Sequence, residues 1–233
     1  MAFQFKQFSV EDDRSTMKVG TDAVLLGAWT NIKNAKNMLE IGTGSGIISL
    51  MLAQRSEARI EAIDIDKSSI DQAIENFKIS PWNERLKATY YSLKNFIKDN
   101  KNKYDLIVSN PPFFIDSLKS PDKNKTRSKH TDELSYSDLI QGLLYFLSPQ
   151  GRSCLILPHT ESKSFINLAR IENLHLNKQL LIKPKKNKIA NRILMEFSFI
   201  KTAIEENEIY LREEDNSFSA DYKKLCEDYY FNL

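Results

Sequence analysis

The sequence predicts an α/β fold: a doubly wound, seven-stranded, mostly parallel sheet with an antiparallel last strand. Three observations lead there. Short apolar runs alternate with helical patterns along most of the 233 residues. A glycine-rich turn joins one of these strands directly to a helix. The last two runs follow each other with no helix between them, so they should pair antiparallel.

The elements follow in order. The opening MAFQFKQFSVEDDR is amphipathic and carries acids early, so it is neither a secretory nor a transit signal. TDAVLLGAW (21–29) reads as a helix capped by Thr21 or Asp22. NMLEI (37–41) is the first strand, IISLMLAQR (47–55) a helix, RIEAIDI (59–65) the second strand and SSIDQAIENFKI (68–79) a helix. LKATYY (86–91) and YDLIVS (104–109) are the third and fourth strands. DLIQGLLYFL (138–147) and SFINLARI (164–171) are helical on either side of a fifth strand, SCLILP (153–158). HLNKQLLIK (175–183) and RILMEFSFI (192–200) complete the sheet. Parallel strands covered on both faces account for runs that are continuously apolar rather than alternating. One domain is expected, with an N-terminal extension (1–35), a core (36–201) and an acidic C-terminal extension (202–233). KDNKNK (98–103) and 115–135 are polar, the latter too long for an idle connection.

No apolar run approaches the roughly 18 residues of a membrane span, and the expectation is a cytoplasmic protein with no membrane contact. Cys154, in the apolar run SCLIL, reads as a small core residue, so neither a disulfide framework nor a metal site is indicated. His159 and His175 have no partners nearby in sequence and read as structural or exposed. The net charge is only +2, but it is unevenly spread. Residues 119–130 hold five Lys or Arg against one Asp, and 183–192 hold five with no acid, whereas 205–228 is mostly acidic. Separated basic patches of this kind suit a polyanionic partner.

The turn EIGTGSG runs from Glu40 to Gly46. Gly42 and Gly44 permit a tight turn and let backbone N–H groups come close to a ligand. Asp64 closes the second strand 22 residues beyond Gly42, near the ~20-residue offset at which a carboxylate meets a ribose hydroxyl pair. A nucleoside-bearing cofactor is implied. A dinucleotide fingerprint would put its third glycine where Ile47 stands. Asp66 reads as a solvated residue at a helix N-terminus.

After the fourth strand comes SNPPFF, Ser109 to Phe114, which cannot continue a ladder because proline lacks a donor. The run from Asn110 to Phe113 resembles a motif of amino-group methyltransferases. The resemblance implies as substrate an exocyclic aryl amine, a poor nucleophile because its lone pair is delocalised into the ring. Such an amine needs acceptors that hold its protons and steer that lone pair. The Asn110 side-chain oxygen and the Pro111 carbonyl are two such acceptors, Pro112 helps fix their spacing, and Phe113 offers a flat face for a base. In such enzymes the methyl group comes from a sulfonium, so the resemblance implies that no general base need act early.

Two motifs carry a resemblance. Glycines at 42, 44 and 46 preceded by Glu40 resemble the first motif of class I methyltransferases, whose cofactor is S-adenosylmethionine; Glu40 would then receive the cationic amine, directly or through water. Asn110-Pro111-Pro112-Phe113 resembles the Asp/Asn/Ser-Pro-Pro-aromatic motif of amino-group methyltransferases. The stretch from Phe5 to Trp29, closest at MKVGTDAVLLGAW, together with RSKH (127–130) and NRILMEF from Asn191, is similar to the bacterial valine-tRNA adenine-N6 methyltransferases, and the likeness covers nearly the whole chain. It implies a Rossmann-like fold and methyl transfer to the N6 amino group of adenine 37 in valine tRNA, immediately 3′ of the anticodon. Lys18, Gly20, Thr21 and Asp22 become cofactor-side candidates on a segment that covers the cofactor opposite the glycine turn. Ser92 and Leu93 stand where many relatives hold the cofactor's adenine, although Ser92 replaces the usual acid. Phe114, Arg127, His130, Lys185 and Lys186 are candidate contacts to the base or to RNA phosphates.

The expected partner is tRNA, and the expected state a monomer. The same proline motif occurs in ribosomal-RNA guanine-N2 and protein-glutamine N5 methyltransferases. The latter usually carry a sizeable helical domain before the glycine motif, whereas 39 residues precede Glu40 here. From other classes, a dinucleotide oxidoreductase lacks support at the third glycine, and a non-catalytic RNA-binding module leaves Asn110 without a task.

Overall fold

Eight strands form the central sheet of the computed structural model, which describes residues 2–16, 18–112 and 134–232. The chain begins with a two-stranded antiparallel ribbon, β1 (Phe3–Gln4) and β2 (Ser9–Val10), followed by helix α1 (Thr21–Trp29). Then come β3 (Asn37–Ile41), α2 (Ile47–Arg55), β4 (Arg59–Asp64), α3 (Lys67–Ile79) and β5 (Leu86–Tyr90). The second half runs α4 (Leu93–Asp99), β6 (Tyr104–Ser109), α5 (Tyr136–Phe146), β7 (Leu147–Pro158), α6 (His159–Ile171), β8 (His175–Lys185), β9 (Arg192–Ser198), β10 (Glu205–Arg212) and α7 (Ala220–Cys226).

The sheet order is β10-β8-β9-β7-β6-β3-β4-β5. Neighbouring strands are parallel except around β9, which is antiparallel to both β7 and β8. β9 is the last of the seven strands expected from the sequence, and it pairs as expected. Successive residues on a strand point to opposite faces, and the core divides accordingly. Met38, Leu106 and Ile156 pack under α1, α2 and α3, while Leu39, Ile107 and Leu157 pack under α4, α5 and α6. Cys154 is fully buried, as its apolar run implies.

Three features go beyond the sequence reading. LKNFIKD forms the short helix α4, where the sequence showed only the edge of a polar stretch. The N-cap of α1 is Gly20 rather than Thr21 or Asp22, with no side-chain cap bond; Ala23 to Ala28 are all buried, so packing rather than capping holds this helix. The acidic segment supplies an eighth strand, β10, parallel to β8. Its first four residues are exposed, Ile209 and Leu211 pack on the core, and ion pairs join it to β8: Lys178 to Glu205 at 3.0 Å and Lys183 to Glu208 at 2.8 Å. A charged edge strand of this kind also blocks further strand addition.

The two ends of the chain meet on α2. The Tyr229 hydroxyl donates to the Met51 carbonyl at 3.0 Å, and the Lys6 N–H donates to the Tyr229 carbonyl at 2.8 Å. Phe5 stacks on Phe8 with ring centres 4.7 Å apart and lies 5.5 Å from Tyr230. Among the described residues, no helix is long and apolar enough to cross a membrane.

Tyr229 is 1% exposed. Tyr229→Ala is expected to lower stability by about 3–5 kcal/mol, as for other buried aromatics, and Tyr229→Phe by about 1 kcal/mol. Denaturant midpoints of the two variants check this, and equal losses would mean that the ring contributes nothing beyond its hydroxyl.

Candidate active site

The direction in which strands are added reverses on either side of β3, with β4 and β5 on one side and β6 and β7 on the other. At such a point the connections leaving two adjacent strands part, and a crevice opens at their carboxyl ends. A cavity of about 660 Å³ lies there. A second of about 870 Å³ is lined by the opening residues of β3, β4, β5 and β6, at the opposite edge of the sheet.

The glycine turn makes one wall. The Gly42 and Thr43 N–H groups donate to the Ile63 carbonyl at 2.8 and 3.1 Å, tying the turn to the end of β4. Gly42 has φ +77°, and a Cβ there would meet nothing within 4 Å, so its open side faces cavity space that a ligand can fill. Asp64 stands on the same wall. Its Oδ2 accepts from the Gly44 N–H at 2.8 Å and its Oδ1 from the Asp66 N–H at 2.9 Å. Burial raises its pKa above the usual carboxylate value, with the backbone hydrogen bonds from Asp66 and Gly44 opposing. Each oxygen keeps a lone pair for a ligand hydroxyl. Asp66 caps α3, accepting from the Ser69 N–H at 2.8 Å; the Ser68 hydroxyl bond leads in lowering its pKa.

Two glycine-motif residues stand differently from the sequence expectation. Gly46, at φ +84°, is not on the cavity wall; a Cβ there would lie 2.5 Å from the Phe77 ring, so glycine is demanded by packing on α3. Glu40 is also off the wall and fully buried behind the turn. Its Oε2 accepts from the Thr43 hydroxyl at 2.8 Å, from the Ser49 N–H at 3.0 Å and from the Ser49 hydroxyl, which joins the turn to the first residues of α2. Its Oε1 has no partner among the described residues. Burial pushes the Glu40 pKa up to about 7, against the hydrogen bonds from Ser49 and Thr43. Glu40 therefore shapes the turn from behind.

The strap leading into α1 makes a second wall, with Thr16, Lys18, Gly20, Thr21 and Asp22 on the cavity. The Lys18 ammonium is engaged by the Asp12 carbonyl at 2.6 Å. The Asp22 carboxylate is paired with Arg192 at 2.8 Å, a partner 170 residues away that the sequence did not suggest. Tyr91, Ser92, Leu93 and Ile65 line a mainly apolar shelf beside Asp64. The Ser92 side chain accepts from the Asn95 N–H as the N-cap of α4.

The third wall is the corner after β6. Asn110 and Pro112 line the cavity, with Pro111 buried between them. Asn110 Oδ1 is buried and has no hydrogen-bond partner among the described residues, which leaves an acceptor without its donor. The Ser109 hydroxyl donates to the Ile41 carbonyl at 2.7 Å, joining this corner to the strand that enters the glycine turn. Phe113, Phe114, Arg127 and His130 lie outside the described residues. Lys185 and Lys186 are off the cavity wall, near the end of β8 on the same edge of the sheet.

The arrangement fits a nucleoside-bearing donor: an open glycine cradle, a carboxylate with spare acceptor capacity, an apolar shelf and an unanswered amide oxygen opposite. Residues 15–126 match the methyltransferase small domain. A tRNA1(Val) (adenine(37)-N6)-methyltransferase of Bacteroides fragilis is 41% identical over 99% of this chain and 98% of its own length. The chain belongs to this family. A protein of the same name from Tolumonas auensis is 37% identical over 100% of this chain and 98% of its own. A predicted O-methyltransferase from Agrobacterium tumefaciens shares the fold at TM-score 0.70 and 16% identity, over 89% of this chain and 96% of that one.

The raised Glu40 carboxyl has a pH signature. Folded, it holds its proton to about pH 7, against 4.5 as the ordinary value. Stability therefore falls as pH rises through that window, by an amount on the order of 2–3 kcal/mol. Glu40→Gln is expected to flatten this slope in urea midpoints measured from acid to neutral pH. A slope shared equally by wild type and variant would remove the assignment.

Proposed function

We propose that the carboxyl-edge cavity holds S-adenosylmethionine beside an adenine of tRNA1(Val), and that the chain methylates the N6 amino group of adenine 37. The observation that carries this reading is Asn110: a buried amide oxygen without a partner among the described residues, on the wall of the cavity that the glycine turn also lines. The bound donor supplies an electrophilic methyl group on a positively charged sulfur. Gly42 and Gly44 give it backbone contact, and Asp64 accepts from its ribose hydroxyls. Ile65, Tyr91 and Leu93 give its base an apolar seat, and the segment from Lys18 to Asp22 covers it.

Asn110 Oδ1 accepts one amino proton of the target adenine and the Pro111 carbonyl the other. This holds the nitrogen in place and leaves its lone pair as the group that points onward. Pro112 keeps the corner rigid. On the resemblance alone, Phe113 stacks on the base, and Phe114, Arg127 and His130 contact the base or its phosphates. The chain is proposed to act as a monomer, and a tRNA substrate supports a cytoplasmic location.

The RNA is proposed to approach over the turn between β8 and β9. Lys183 is engaged with Glu208 and Lys185 with the Glu214 carbonyl. Lys186 and Lys188 are exposed and make no ion pair among the described residues, so their charge is free for phosphates. Arg192, at the base of this turn, is bonded to Asp22 on the cavity wall.

Purified protein, labelled donor and unfractionated tRNA test the reaction: label is expected in N6-methyladenosine of valine tRNA, and its absence there would end the reading. Asn110→Ala is expected to cost more than about a hundredfold in kcat, with donor affinity by calorimetry near wild type; undiminished turnover would refute the role of the amide. Replacing Lys186 and Lys188 together by alanine should reduce the salt slope of tRNA binding by about two units, one per lost contact. An unchanged slope would mean that the RNA passes elsewhere.

A further inference from the structure

One face of α3 carries polar side chains in the interior. Ser69, Gln72 and Asn76 recur at helical spacing, and none is more than 1% exposed. All three hold the strap of residues 11–16. Ser69 Oγ accepts from the Thr16 N–H at 3.3 Å, and Gln72 Oε1 accepts from the Arg14 N–H at 3.4 Å. Asn76 grips harder: its Oδ1 accepts from the Glu11 N–H at 3.0 Å, and its Nδ2 donates to the Glu11 carbonyl at 2.8 Å. The strap is thus held as an added strand would be, but by side chains.

One bond goes elsewhere. Asn76 Nδ2 also donates to the Ser45 carbonyl at 2.8 Å, in the middle of the glycine turn. Both N–H groups and the oxygen of this amide are then in use, with none directed at the cavity. Turn and strap also approach each other directly, since a Cβ on Gly44 would lie 3.5 Å from the Ser15 hydroxyl. The segments on each side of Asn76 border the cavity: Gly42 to Ser45 on one side, Thr16, Lys18 and Gly20 to Asp22 on the other.

We propose that Asn76 is a positioning residue for the methyl donor. One buried amide fixes the spacing between glycine turn and strap, so the two walls hold the donor as a unit. This rests on the reading that the donor lies between those walls. Asn76 is not itself on the cavity wall, so it acts only through the backbone of the two segments.

Calorimetric titration with S-adenosylhomocysteine tests this in wild type, Asn76→Ala and Gln72→Ala. Gln72→Ala loses a strap contact and leaves the turn alone. Asn76→Ala is expected to bind about tenfold more weakly or worse, the equivalent of a lost buried hydrogen bond, and Gln72→Ala to change far less. The KM for S-adenosylmethionine should rise in parallel in Asn76→Ala, with kcat at saturating donor and affinity for tRNA retained. Hydrogen exchange of the strap peptide should slow on adding S-adenosylhomocysteine to wild type and not in Asn76→Ala. If Asn76→Ala does not fold, Glu11→Pro removes the strap's N–H to the same amide without touching α3, and the same rise in KM is expected. Wild-type affinity in a folded Asn76→Ala, an unchanged KM in Glu11→Pro, or a loss of kcat at unchanged KM would overturn the proposal. Failure of wild type itself to bind S-adenosylhomocysteine would instead remove the donor site beneath it.

Discussion

The architecture turns on one constraint: at the end of β3 the chain on one side must become the glycine turn, while on the other side β6 must stop and bend away. Parallel strands of equal length would ordinarily run on side by side. Here the Ser109 hydroxyl, the last polar group of β6, bonds to the Ile41 carbonyl at 2.7 Å and fixes where the two paths part. Pro111 and Pro112, just beyond Asn110, deny β6 any further ladder, and positive φ at Gly42 swings β3 into its turn. The cavity is the space left between those two departures.

Around that space the chain buries several polar side chains. Glu40, Ser49, Ser69, Gln72 and Asn76 are all at most 1% exposed, and each bonds to a segment bordering the cavity or to a partner that does. Buried polar groups are costly unless paired, but paired ones fix distances in a way that apolar contacts do not. Apolar packing sets the layers; a few buried amides, hydroxyls and one carboxyl set the positions of the loops. The consequence for chemistry is that the ligand-facing residues are backbone and short side chains whose places are decided by groups a layer further back.

Much of this was legible in the chain itself. The seven apolar runs became strands because continuous Val, Ile and Leu segments have no other low-energy place than a two-sided sheet. Asp66 became a cap, and Cys154 a core residue, for equally local reasons. What stayed hidden depended on partners distant in sequence. β10 opens with four polar residues and has only the short run Ile209 to Leu211. It is a strand because it pairs with β8, with Ile209 and Leu211 packing on the core and Lys178 and Lys183 reaching Glu205 and Glu208. Asp22 is engaged by Arg192, and no spacing rule links positions 170 residues apart. Glu40 and Gly46 lie within the glycine motif yet are not on the cavity wall, because a motif read as letters does not tell which of its residues reach a ligand's surface. The α3 polar face escaped notice since Ser, Gln and Asn on an amphipathic helix ordinarily mark the solvent side.

The contact between residues 5–8 and residues 229–230 has a consequence for the order in which the protein folds. The arm holding Phe5 and Phe8 is bonded through Lys6 to Tyr229 and packs on Tyr230, nearly the whole polypeptide later. A chain with its sheet already assembled still lacks that closing bond until Tyr229 has docked on α2. The arm is therefore among the last parts to lock, and the strap that continues from it becomes fully anchored only once this distant contact has formed.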